Sequence, residues 1–545
     1  MTLTLVPDPA PAAEVSPNPP VHLRIRPDNW VLAGLLVIVG TVDGWNLTNY
    51  PSLSDDEGTY LAQAWAVRTG TGLTHYTYWY DHPPGGWLQI ALLSWLPEVA
   101  APDQLAVATG RIVMVIVALI NAALVFVVAR RLSFTTWTAA LAVLLFALSP
   151  LSVTLHRQIY LDNVAVGWML AAFALVLSPR RHLWHHVGAG VCAAVAILSK
   201  ETMLLVLPAL GFALWQSAHP TTRKFSAAGL LTGVVLTGCL YPLYAVLKRE
   251  LIPGAGHVSL IDGVLFQLHQ RTGSGAMWQT GSASGEVVRS WLFYDRVLPV
   301  AGVIAVVAAL AVRRLRAPAL AGALLVGMAL RPGGYLPAMY VIQALPFFAL
   351  ALAGLVDAGS RILLSEAVSE SARRWAARGG RGARDLVRVA AVPSATWWLR
   401  WVVAAVCVAV GLSVVAPRWD IGLRRATTSH VNDEYAAALV WVREHIPAPG
   451  SQVIVVDDVL WLDMVRLGFT PGLGAIWFYK LDLDPGVRLP NGWRDVDWIV
   501  STPTLRGNLT TLPNTADVLD HSNIAATFGH DAGRIEIRHV DKDRR

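Results

Sequence analysis

Long apolar runs, separated by short polar segments, occupy most of the chain between residues 30 and 415. A transmembrane helix needs about 20 mainly apolar residues, and on that template the pattern predicts about eleven spans. An apolar piece at Trp87–Leu96 is too short to span and is expected to lie at the membrane interface. The predicted fold class is therefore an all-α polytopic membrane domain. The spans are predicted at Trp30–Leu47, Leu105–Val128, Trp137–Ser152, Asn163–Leu177, Val187–Leu198, Met203–Trp215, Phe225–Leu247, Val297–Val312, Ala317–Leu330, Leu336–Val356 and Trp397–Val415.

Composition supports a membrane protein. Of 545 residues, 54% are hydrophobic and 15% charged, and the mean hydropathy is +0.48, whereas soluble domains carry roughly 25% charged residues. The isoelectric point near 9.3 comes from basic residues between apolar runs, so it indicates membrane orientation and not nucleic-acid binding. Cys192, Cys239 and Cys407 all lie inside apolar runs, which predicts small buried side chains and no disulfide framework.

The basic segments orient the chain. If the spans alternate, these segments share one face, which is the cytoplasm by the positive-inside rule. Residues 1–27, rich in Pro and Ala, are predicted to be a disordered cytoplasmic tail. The first loop, Thr48–Gln104, and the carboxyl-terminal region then lie outside a multi-pass cell membrane protein. The basic segments are Arg130-Arg131, Arg180-Arg181, Arg223-Lys224, Arg313–Arg316 and Ser360–Pro393.

After Pro417 the composition becomes that of a soluble domain. We therefore predict a membrane domain at 28–417 and a small extracytoplasmic α/β domain at 418–545. Helical spacing over Glu434–His445 predicts a helix, and three segments predict strands. The aromatic residues Trp477-Phe478-Tyr479 and Trp493 fit either sugar stacking or the core of this domain. The strands are predicted at Gln452–Asp457, Asp497–Ser501 and Arg534–His539.

Three consecutive carboxylates, Asp55, Asp56 and Glu57, follow shortly after the first predicted span. Adjacent acids repel one another and raise the pKa of at least one of them, which is the condition a general base needs. The alternative is a helix start, capped by Ser54 or Asp55, where acids favour the macrodipole. Both can hold, since a capped helix fixes the backbone that carries a catalytic Asp56.

Two further polar motifs lie at predicted loop positions. Asp81-His82-Pro83-Pro84 holds a carboxylate and an imidazole in an extended loop, which fits a metal or phosphate contact or a plain turn. His156, Arg157 and Asp162 stand at the mouth of a span. The guanidinium of Arg157 has the geometry to bind phosphate, and an interfacial anchor is the alternative.

The remaining charged candidates are weaker. Lys200-Glu201 interrupts two apolar runs, and an ion pair at a tight turn accounts for it. Arg331 precedes Tyr340 by a few turns, so the pair fits either a phosphate grip or an anchor at the end of a span. His269 and Arg271 in the second long outer loop fit a structural role.

Taken in order, these motifs resemble the GT-C superfamily of membrane glycosyltransferases, in particular the branch of protein O-mannosyltransferases and the lipid A aminoarabinose transferase. The resemblance covers about Trp30 to Val356. It rests on Asp56-Glu57 with Tyr60, His82-Pro83-Pro84, Arg157 with Leu161-Asp162, and Tyr340 with Pro346.

The resemblance implies an inverting transfer of a sugar from a polyprenyl-phosphate donor to a cell-envelope glycan, lipid or protein on the outer face of the membrane. The implied general base is Asp56, with Glu57 or Asp55 in support. The only cofactor it suggests is a divalent metal. The other implied roles are phosphate binding by Arg157 and Arg331, acceptor contact by Asp162, further substrate contact by Tyr60, His82, Lys200 and Tyr340, and metal ligation by Asp81 and His269.

The sequence also departs from that family. Thr59 stands where the aminoarabinose transferases place a basic residue, His82 where they have a Lys, and Gly85-Gly86-Trp87 where mannosyltransferases usually have Leu-Gly-Lys. Neither donor can be carried over. A lipid-linked sugar flippase or a non-catalytic scaffold is the alternative, but a transporter usually shows repeated halves and ionisable groups at mid-membrane.

Overall fold

The computed structural model describes residues 27–71, 80–254, 257–331, 333–364, 397–484 and 486–543. The predicted tail at 1–27, apart from Pro27, and most of the Arg-rich Ser360–Pro393 lie outside these residues, as does the side chain of Cys407.

Helices form nearly all of the described chain before residue 430. The first group is α1 (Pro27–Gly44), α2 (Asp55–Arg68), α3 (Gly85–Leu93), α4 (Trp95–Ala100), α5 (Ala106–Gly110), α6 (Ile112–Arg131), α7 (Thr136–Leu148), α8 (Pro150–Arg157), α9 (Leu161–Val176) and α10 (Leu183–Ser199). The second group is α11 (Leu207–Ser217), α12 (Arg223–Gly238), α13 (Leu240–Leu247), α14 (Leu260–Leu265), α15 (Ala283–Tyr294), α16 (Val297–Ala309), α17 (Arg316–Ala329), α18 (Leu345–Leu364) and α19 (Trp397–Thr428).

Within the described residues, three helical segments are long and apolar enough to cross a membrane: Ala106–Arg131, Arg223–Leu247 and Ala338–Arg361. Two bent pairs, α7 with α8 at 63° and α15 with α16 at 106°, raise the number to five if each pair is one span. Helices α9 and α10, with 16 and 17 residues, are shorter than the template of about 20. The predicted number of spans is therefore not confirmed.

Helix α9 lies at the centre of the membrane part and is buried along almost its whole length. It packs against α6 and α10, and small residues such as Ala165, Ala172 and Gly167 let the neighbouring backbones approach. This packing fixes the beginning of α9, where Asp162 lies. Helix α8 begins at Pro150, which is favoured there because the first turn leaves its N–H groups without an intrahelical partner.

The carboxyl-terminal part is an α/β unit with one five-stranded sheet in the order β2-β1-β3-β5-β4. Strands β2, β1 and β3 are parallel, whereas β5 is antiparallel to both β3 and β4. The three predicted strands match β1, β3 and β5, and the predicted helix matches α20. The elements are α20 (Asp433–His445), β1 (Ile454–Val456), α21 (Asp458–Leu467), β2 (Ala475–Trp477), α22 (Lys480–Leu483), β3 (Trp498–Ser501), α23 (Pro503–Asn508), α24 (Pro513–Asp520), β4 (Ser522–Phe528) and β5 (Ile535–Val540).

The aromatic residues proposed for sugar stacking are mostly core residues. Trp477, Phe478 and Trp493 are each less than 10% exposed. Phe478 and Trp493 pack in a hydrophobic cluster within this unit, and Trp477 packs in the main core, which continues into the membrane part. Burial of large aromatic rings stabilises the sheet. The core interpretation of these residues therefore fits the structure.

The two parts of the molecule are joined at several points. Helix α19 continues through Pro417 to Thr428, so the change in composition at 418 does not coincide with the end of the helix. The Asn432 amide donates to the carbonyls of Thr48 and Pro51 and accepts from the N–H of Leu53. The carboxyl-terminal unit is thereby attached to the loop that leads into α2.

Candidate active site

The first turn of α2 carries the three consecutive carboxylates. The backbone N–H of Ser54 donates to Oε2 of Glu57 at 3.1 Å, which is one half of a capping box. Successive residues of a helix point about 100° apart. Asp55, Asp56 and Glu57 therefore face three different surroundings, and each has to be considered separately.

Glu57 is fully buried and holds the loop together. Its carboxylate accepts two hydrogen bonds from Arg111, at 2.8 and 2.7 Å, and one from the N–H of Ile159 at 3.0 Å. Arg111 also donates to the carbonyls of Pro51 and Ser52. Because every oxygen of Glu57 has partners, its role here is to position α2 and not to exchange protons with a substrate.

Asp56 is different, since its side chain is exposed while ionisable groups from three other segments surround it. Nearby protein atoms displace part of the water around the Asp56 carboxyl and so raise its pKa. Asp81 adds to the rise, and Lys200, His82 and Arg271 oppose it. A carboxylate that is accessible, raised in pKa and faced by cations has the properties of a general base.

A chain of hydrogen bonds crosses the cationic side of this space. Nζ of Lys200 lies 3.0 Å from Nε2 of His82, and Nδ1 of His82 lies 3.1 Å from Oε2 of Glu201. Burial by itself would lower the pKa of Lys200, but Asp162, Glu201 and Asp56 outweigh it and raise that pKa. A protonated Lys200 can only donate, so Nε2 of His82 accepts and Nδ1–H donates to Glu201.

Glu201 stays ionised in this chain. Burial would raise its pKa, but His82 and Lys200 more than offset that effect and hold the pKa of Glu201 well below its usual range. Lys200 and Glu201, predicted to pair with each other, both contact His82 instead, so they belong to a network that includes the His-Pro-Pro loop.

Two glycines bring that loop to Lys200. A Cβ on Gly85 would lie 2.6 Å from the carbonyl oxygen of Leu198, and one on Gly86 would lie 2.6 Å from Leu161. Only glycine permits such an approach between the beginning of α3 and the end of α10. The Gly85-Gly86 departure from the mannosyltransferase pattern therefore has a packing reason.

Asp162 and Tyr60 lie on the same side of α2 as Lys200 and His82. Oδ1 of Asp162 accepts from the Gln343 amide at 2.6 Å, and Oδ2 lies 4.0 Å from Nζ of Lys200. The ring of Tyr60 lies 6.1 Å from that of His82. The structure therefore brings Asp56, Tyr60, His82, Asp162 and Lys200 together, as predicted for one site, although their roles remain predictions.

The carboxyl-terminal unit covers the other side of α2. The Thr59 hydroxyl donates to Oδ1 of Asp458 at 2.7 Å, and the Tyr479 hydroxyl donates to the same oxygen at 3.0 Å. A Cβ on Gly58 would lie 2.1 Å from the carbonyl oxygen of Asp458, so the backbones of α2 and α21 are in contact there. The candidate site is thus built from both parts of the chain.

This second side is acidic. Burial, together with Asp457, Asp458 and Asp56, raises the pKa of Asp55 to about 8. Burial also raises the pKa of Asp458 to about 7, against the hydrogen bonds from Thr59 and Tyr479. Asp55 is half-buried among other carboxylates, so it is a poorer candidate for the base than Asp56.

Arg157 does not reach the site. Its guanidinium is fully buried and donates to the carbonyls of Val42, Tyr50 and Ala426, at 2.6 to 3.3 Å. These contacts tie α1, the following loop and α19 together. The predicted phosphate contact of Arg157 is not supported, because its N–H groups face backbone carbonyls and not the space beside Asp56.

Arg331 and Tyr340 differ in exposure and in contacts. Arg331 is exposed just after α17, and the buried Tyr340 donates its hydroxyl to the carbonyl of Leu325. The cation that acts on Asp56 from the second outer loop is Arg271. Arg271 lies 3.7 Å above the Tyr335 ring and donates to Gln267.

The predicted metal ligands do not form a metal centre. Among the described residues, no group of three or more His, Cys, Asp or Glu side chains could hold a metal ion, and His269 is exposed on its loop. One oxygen of Asp81 is buried without a hydrogen-bond partner, but a single carboxylate is too few ligands for a dedicated site. The residues do not fit the implied divalent metal.

Arg111, Gln343 and Asp458 were missed by reasoning from the sequence. Arg111 stands inside the predicted span Leu105–Val128, where a charge is costly and indicates a buried partner; that signal was available. Gln343 within a late span carried a weaker signal of the same kind. Nothing in the sequence indicates that Asp458 contacts Thr59, 399 residues earlier.

Part of the chain matches a known protein family. Residues 81–244 match the family model of dolichyl-phosphate-mannose-protein mannosyltransferases. That segment contains Asp81, His82, Asp162 and Lys200. Among curated protein sequences, none matches this chain significantly.

Two solved structures share the fold over most of the chain. ArnT from Cupriavidus metallidurans, bound to undecaprenyl phosphate, aligns at 14% identity over 94% of this chain and 98% of its own, with a TM-score of 0.56. The Archaeoglobus fulgidus oligosaccharyltransferase, tethered to an acceptor peptide, aligns at 12% identity over 94% of this chain and 74% of its own, with a TM-score of 0.51.

The chain therefore has a mostly helical fold with a small carboxyl-terminal sheet, and this fold is similar to that of these two proteins. The predicted resemblance to the GT-C superfamily is confirmed.

Proposed function

We propose that this protein transfers a sugar from a polyprenyl-phosphate donor to an acceptor on the outer face of the membrane, with inversion at the anomeric carbon. The observation that carries the proposal is the accessible Asp56 carboxylate facing Lys200, His82 and Arg271. In this proposal Asp56 is the base for the acceptor, and Lys200 and Arg271 bind the leaving phosphate. The fold shared with ArnT bound to undecaprenyl phosphate supports the class of donor.

In this proposal Asp56 removes the proton from the acceptor hydroxyl. The hydroxyl oxygen then attacks the anomeric carbon, and the bond from that carbon to the phosphate oxygen breaks. The pKa of Asp56 is raised from the usual carboxyl value, which brings its basicity nearer to the working pH. The anchored Glu57 holds the helical turn, so that Asp56 needs no reorganisation during the reaction.

The leaving polyprenyl phosphate is an anion, and its binding requires donors that stay charged. Lys200 meets this requirement, because Asp162 lies 4.0 Å away and sustains its charge. Arg271, fixed over Tyr335, is the second phosphate donor in the proposal and takes the place first predicted for Arg331. His82 orients Lys200 through the hydrogen bond at Nε2.

The acceptor in this proposal approaches between α2 and the carboxyl-terminal unit. That unit contacts α2 through Asp458 and therefore borders the space beside Asp56. The acceptor would be a cell-envelope glycan, a lipid or a secreted protein. The lipid bilayer would surround the membrane part of the protein. The cytoplasmic side is proposed from the basic segments between the apolar runs.

The decisive test is Asp56→Asn, which removes the base and leaves the shape. Transfer from a radiolabelled polyprenyl-phosphate sugar should fall by roughly three orders of magnitude or more. Binding of the donor to the purified protein should remain, because the cations are untouched. Asp420→Asn, an exposed carboxylate on α19, is the matched control and should retain full transfer. Full transfer by Asp56→Asn would reject Asp56 as the base, and full transfer after each of Asp55, Asp56 and Glu57 is changed would reject the transferase.

A further inference from the structure

A groove lies where α15 turns into α16 and both face α19. It consists of two adjoining cavities of about 280 and 600 Å³ that share Phe293, Tyr294 and Arg296. Arg418 and Arg425 of α19 and Tyr50 line the smaller one. These volumes are in the range of binding sites for small molecules.

Three arginines in this groove have no carboxylate partner among the described residues. Arg425 lies 4.7 Å above the Phe293 ring, Arg418 donates to a carbonyl of its own helix, and Arg296 is exposed. Arginines arranged in this way present N–H groups that can bind an anion bidentately.

The acidic residues that line the groove are already engaged. Asp295 is buried and accepts from the Ser149 hydroxyl and from the N–H of Val297. Glu286 pairs with Arg289. The positive charge of the three arginines is therefore not neutralised by the protein, and the groove is complementary to an anion.

The position of the groove indicates what kind of anion. The α15–α16 pair could form one bent span, and the predicted span Trp397–Val415 ends just before Arg418. Exposed apolar side chains follow on both helices: Val300 and Ile304 on α16, and Leu412 and Val414 on α19. Arginine and aromatic side chains next to an apolar surface are typical of the membrane interface.

The groove is separate from the candidate active site. Tyr50 forms part of its wall, and behind it the buried Arg157 donates to the carbonyls of Tyr50 and Ala426. The charged groups that act on Asp56 do not line the groove. Within its lining, the only carboxylates are Asp295 and Glu286, both engaged, so the groove offers no base for a transfer reaction.

We infer that this groove binds the headgroup of an anionic phospholipid of the surrounding leaflet, with the phosphate on Arg296, Arg418 and Arg425 and the acyl chains along α16 and α19. A bound lipid would connect α15 to α19, which carries the carboxyl-terminal unit. It would therefore stabilise the attachment of that unit. The inference does not depend on the proposed sugar transfer.

The test uses the full-length protein in a neutral detergent, with added phosphatidylglycerol or phosphatidylcholine. Phosphatidylglycerol should raise the melting temperature in a saturable manner, and native mass spectrometry should detect one retained lipid. Phosphatidylcholine and inorganic phosphate at equal concentration should have little effect. Equal stabilisation by phosphatidylcholine would overturn the charge-based site, and equal stabilisation by inorganic phosphate would show a site for a soluble anion instead.

Variants locate the site. The triple variant R296Q/R418Q/R425Q should weaken phosphatidylglycerol binding tenfold or more, since each basic residue adds to the attraction for an anionic headgroup. Arg424→Gln, next to Arg425 but paired with Asp420, is the matched control and should bind like wild type. If the triple variant does not fold, Arg425→Gln alone should still lower the affinity severalfold. Unchanged affinity in the folded variants would reject the groove, and displacement of phosphatidylglycerol by undecaprenyl phosphate would show that the donor lipid and not a phospholipid occupies it.

Discussion

The two sides of the first turn of α2 differ in charge. The side made by the membrane part presents the cations Lys200 and Arg271 together with the imidazole of His82. The side made by the carboxyl-terminal unit presents carboxylates, Asp457 and Asp458. Three neighbouring acids on one turn thus meet three surroundings: Glu57 is bound by a buried arginine, Asp56 faces cations, and Asp55 faces other acids.

The difference shows that the chemistry of a carboxylate is set by its surroundings and not by its residue type. Cations beside Asp56 favour its ionised form and oppose the rise in its pKa. Acids beside Asp55 favour its protonated form and add to the rise. The experiments below change one side at a time and ask whether the other side responds.

The largest effect on stability is expected at the buried pair between Glu57 and Arg111. Glu57→Gln leaves the Arg111 charge buried and unpaired, which should cost about 3–5 kcal/mol of unfolding free energy. Thermal unfolding in detergent measures it. The control is Glu98→Gln at the exposed pair with Arg68, where the loss should stay below about 1 kcal/mol. Similar losses at both pairs would contradict the anchoring role of Glu57.

Lys200→Gln should weaken binding of a polyprenyl-phosphate donor by about 1–3 kcal/mol, or roughly fivefold to 150-fold, because a charge-assisted hydrogen bond to the phosphate is lost. Binding of radiolabelled donor to purified protein measures it. Arg331→Gln should leave binding unchanged, since Lys200, His82 and Arg271, and not Arg331, are the basic groups that act most strongly on Asp56. Normal donor binding by Lys200→Gln together with weakened binding by Arg331→Gln would identify Arg331 as the phosphate ligand instead.

Thr59→Val tests whether the carboxyl-terminal unit positions the catalytic turn. It removes the hydrogen bond to Asp458 and keeps the side-chain volume, and a hydrogen bond to a charged group contributes about 1.5–3 kcal/mol. We expect kcat to fall roughly tenfold while donor affinity stays the same. A lower melting temperature with unchanged kcat would mean that the contact only stabilises the fold.

The smallest effect is expected from the Asp55→Asn substitution, and it should appear in the pH dependence of thermal stability. Its folded-state pKa of about 8 lies above the ordinary carboxyl value, so the stability gained from its proton is complete at low pH and is lost as the pH rises through about 8. In the Asp55→Asn variant the side chain at this position cannot ionise beside Asp457, Asp458 and Asp56. Its melting temperature relative to wild type should therefore increase between pH 5 and pH 9.

The same measurement on Asp520→Asn provides the control, since Asp520 is exposed on α24 and its removal should give no such trend. A difference between Asp55→Asn and wild type that is equal at pH 5 and pH 9 would contradict the acidic environment of Asp55.

The elements that the sequence predicted well are those that depend on a local pattern of residues. The helix Glu434–His445 and the strands at β1, β3 and β5 follow from periodicity and apolar runs, and α20, β1, β3 and β5 lie within two residues of those bounds. Strand β4 was missed because most of its side chains are exposed or half-buried at the sheet edge, so it lacks the apolar pattern. Strand β2 has three residues only, which is too short for a pattern to appear.

What the sequence did not predict depends on distant contacts. Asp56 was identified because its neighbours in sequence are acids. The burial and pairing of Glu57, however, depend on Arg111, which is 54 residues away. Arg157 has the chemistry for phosphate and was assigned to it. Its actual partners are carbonyls at residues 42, 50 and 426, and no local pattern indicates them.

The contact between Thr59 and Asp458 joins positions 399 residues apart, and this separation has a consequence for synthesis. During translation α2 leaves the ribosome long before α21 exists, so the turn that carries Asp56 remains uncovered while the intervening membrane helices are inserted. Its packing against the carboxyl-terminal unit is completed only when nearly the whole chain has been made. A nascent chain truncated before residue 458 would therefore expose Gly58 and its neighbours, and the protein would acquire its finished site as one of the last events of biogenesis.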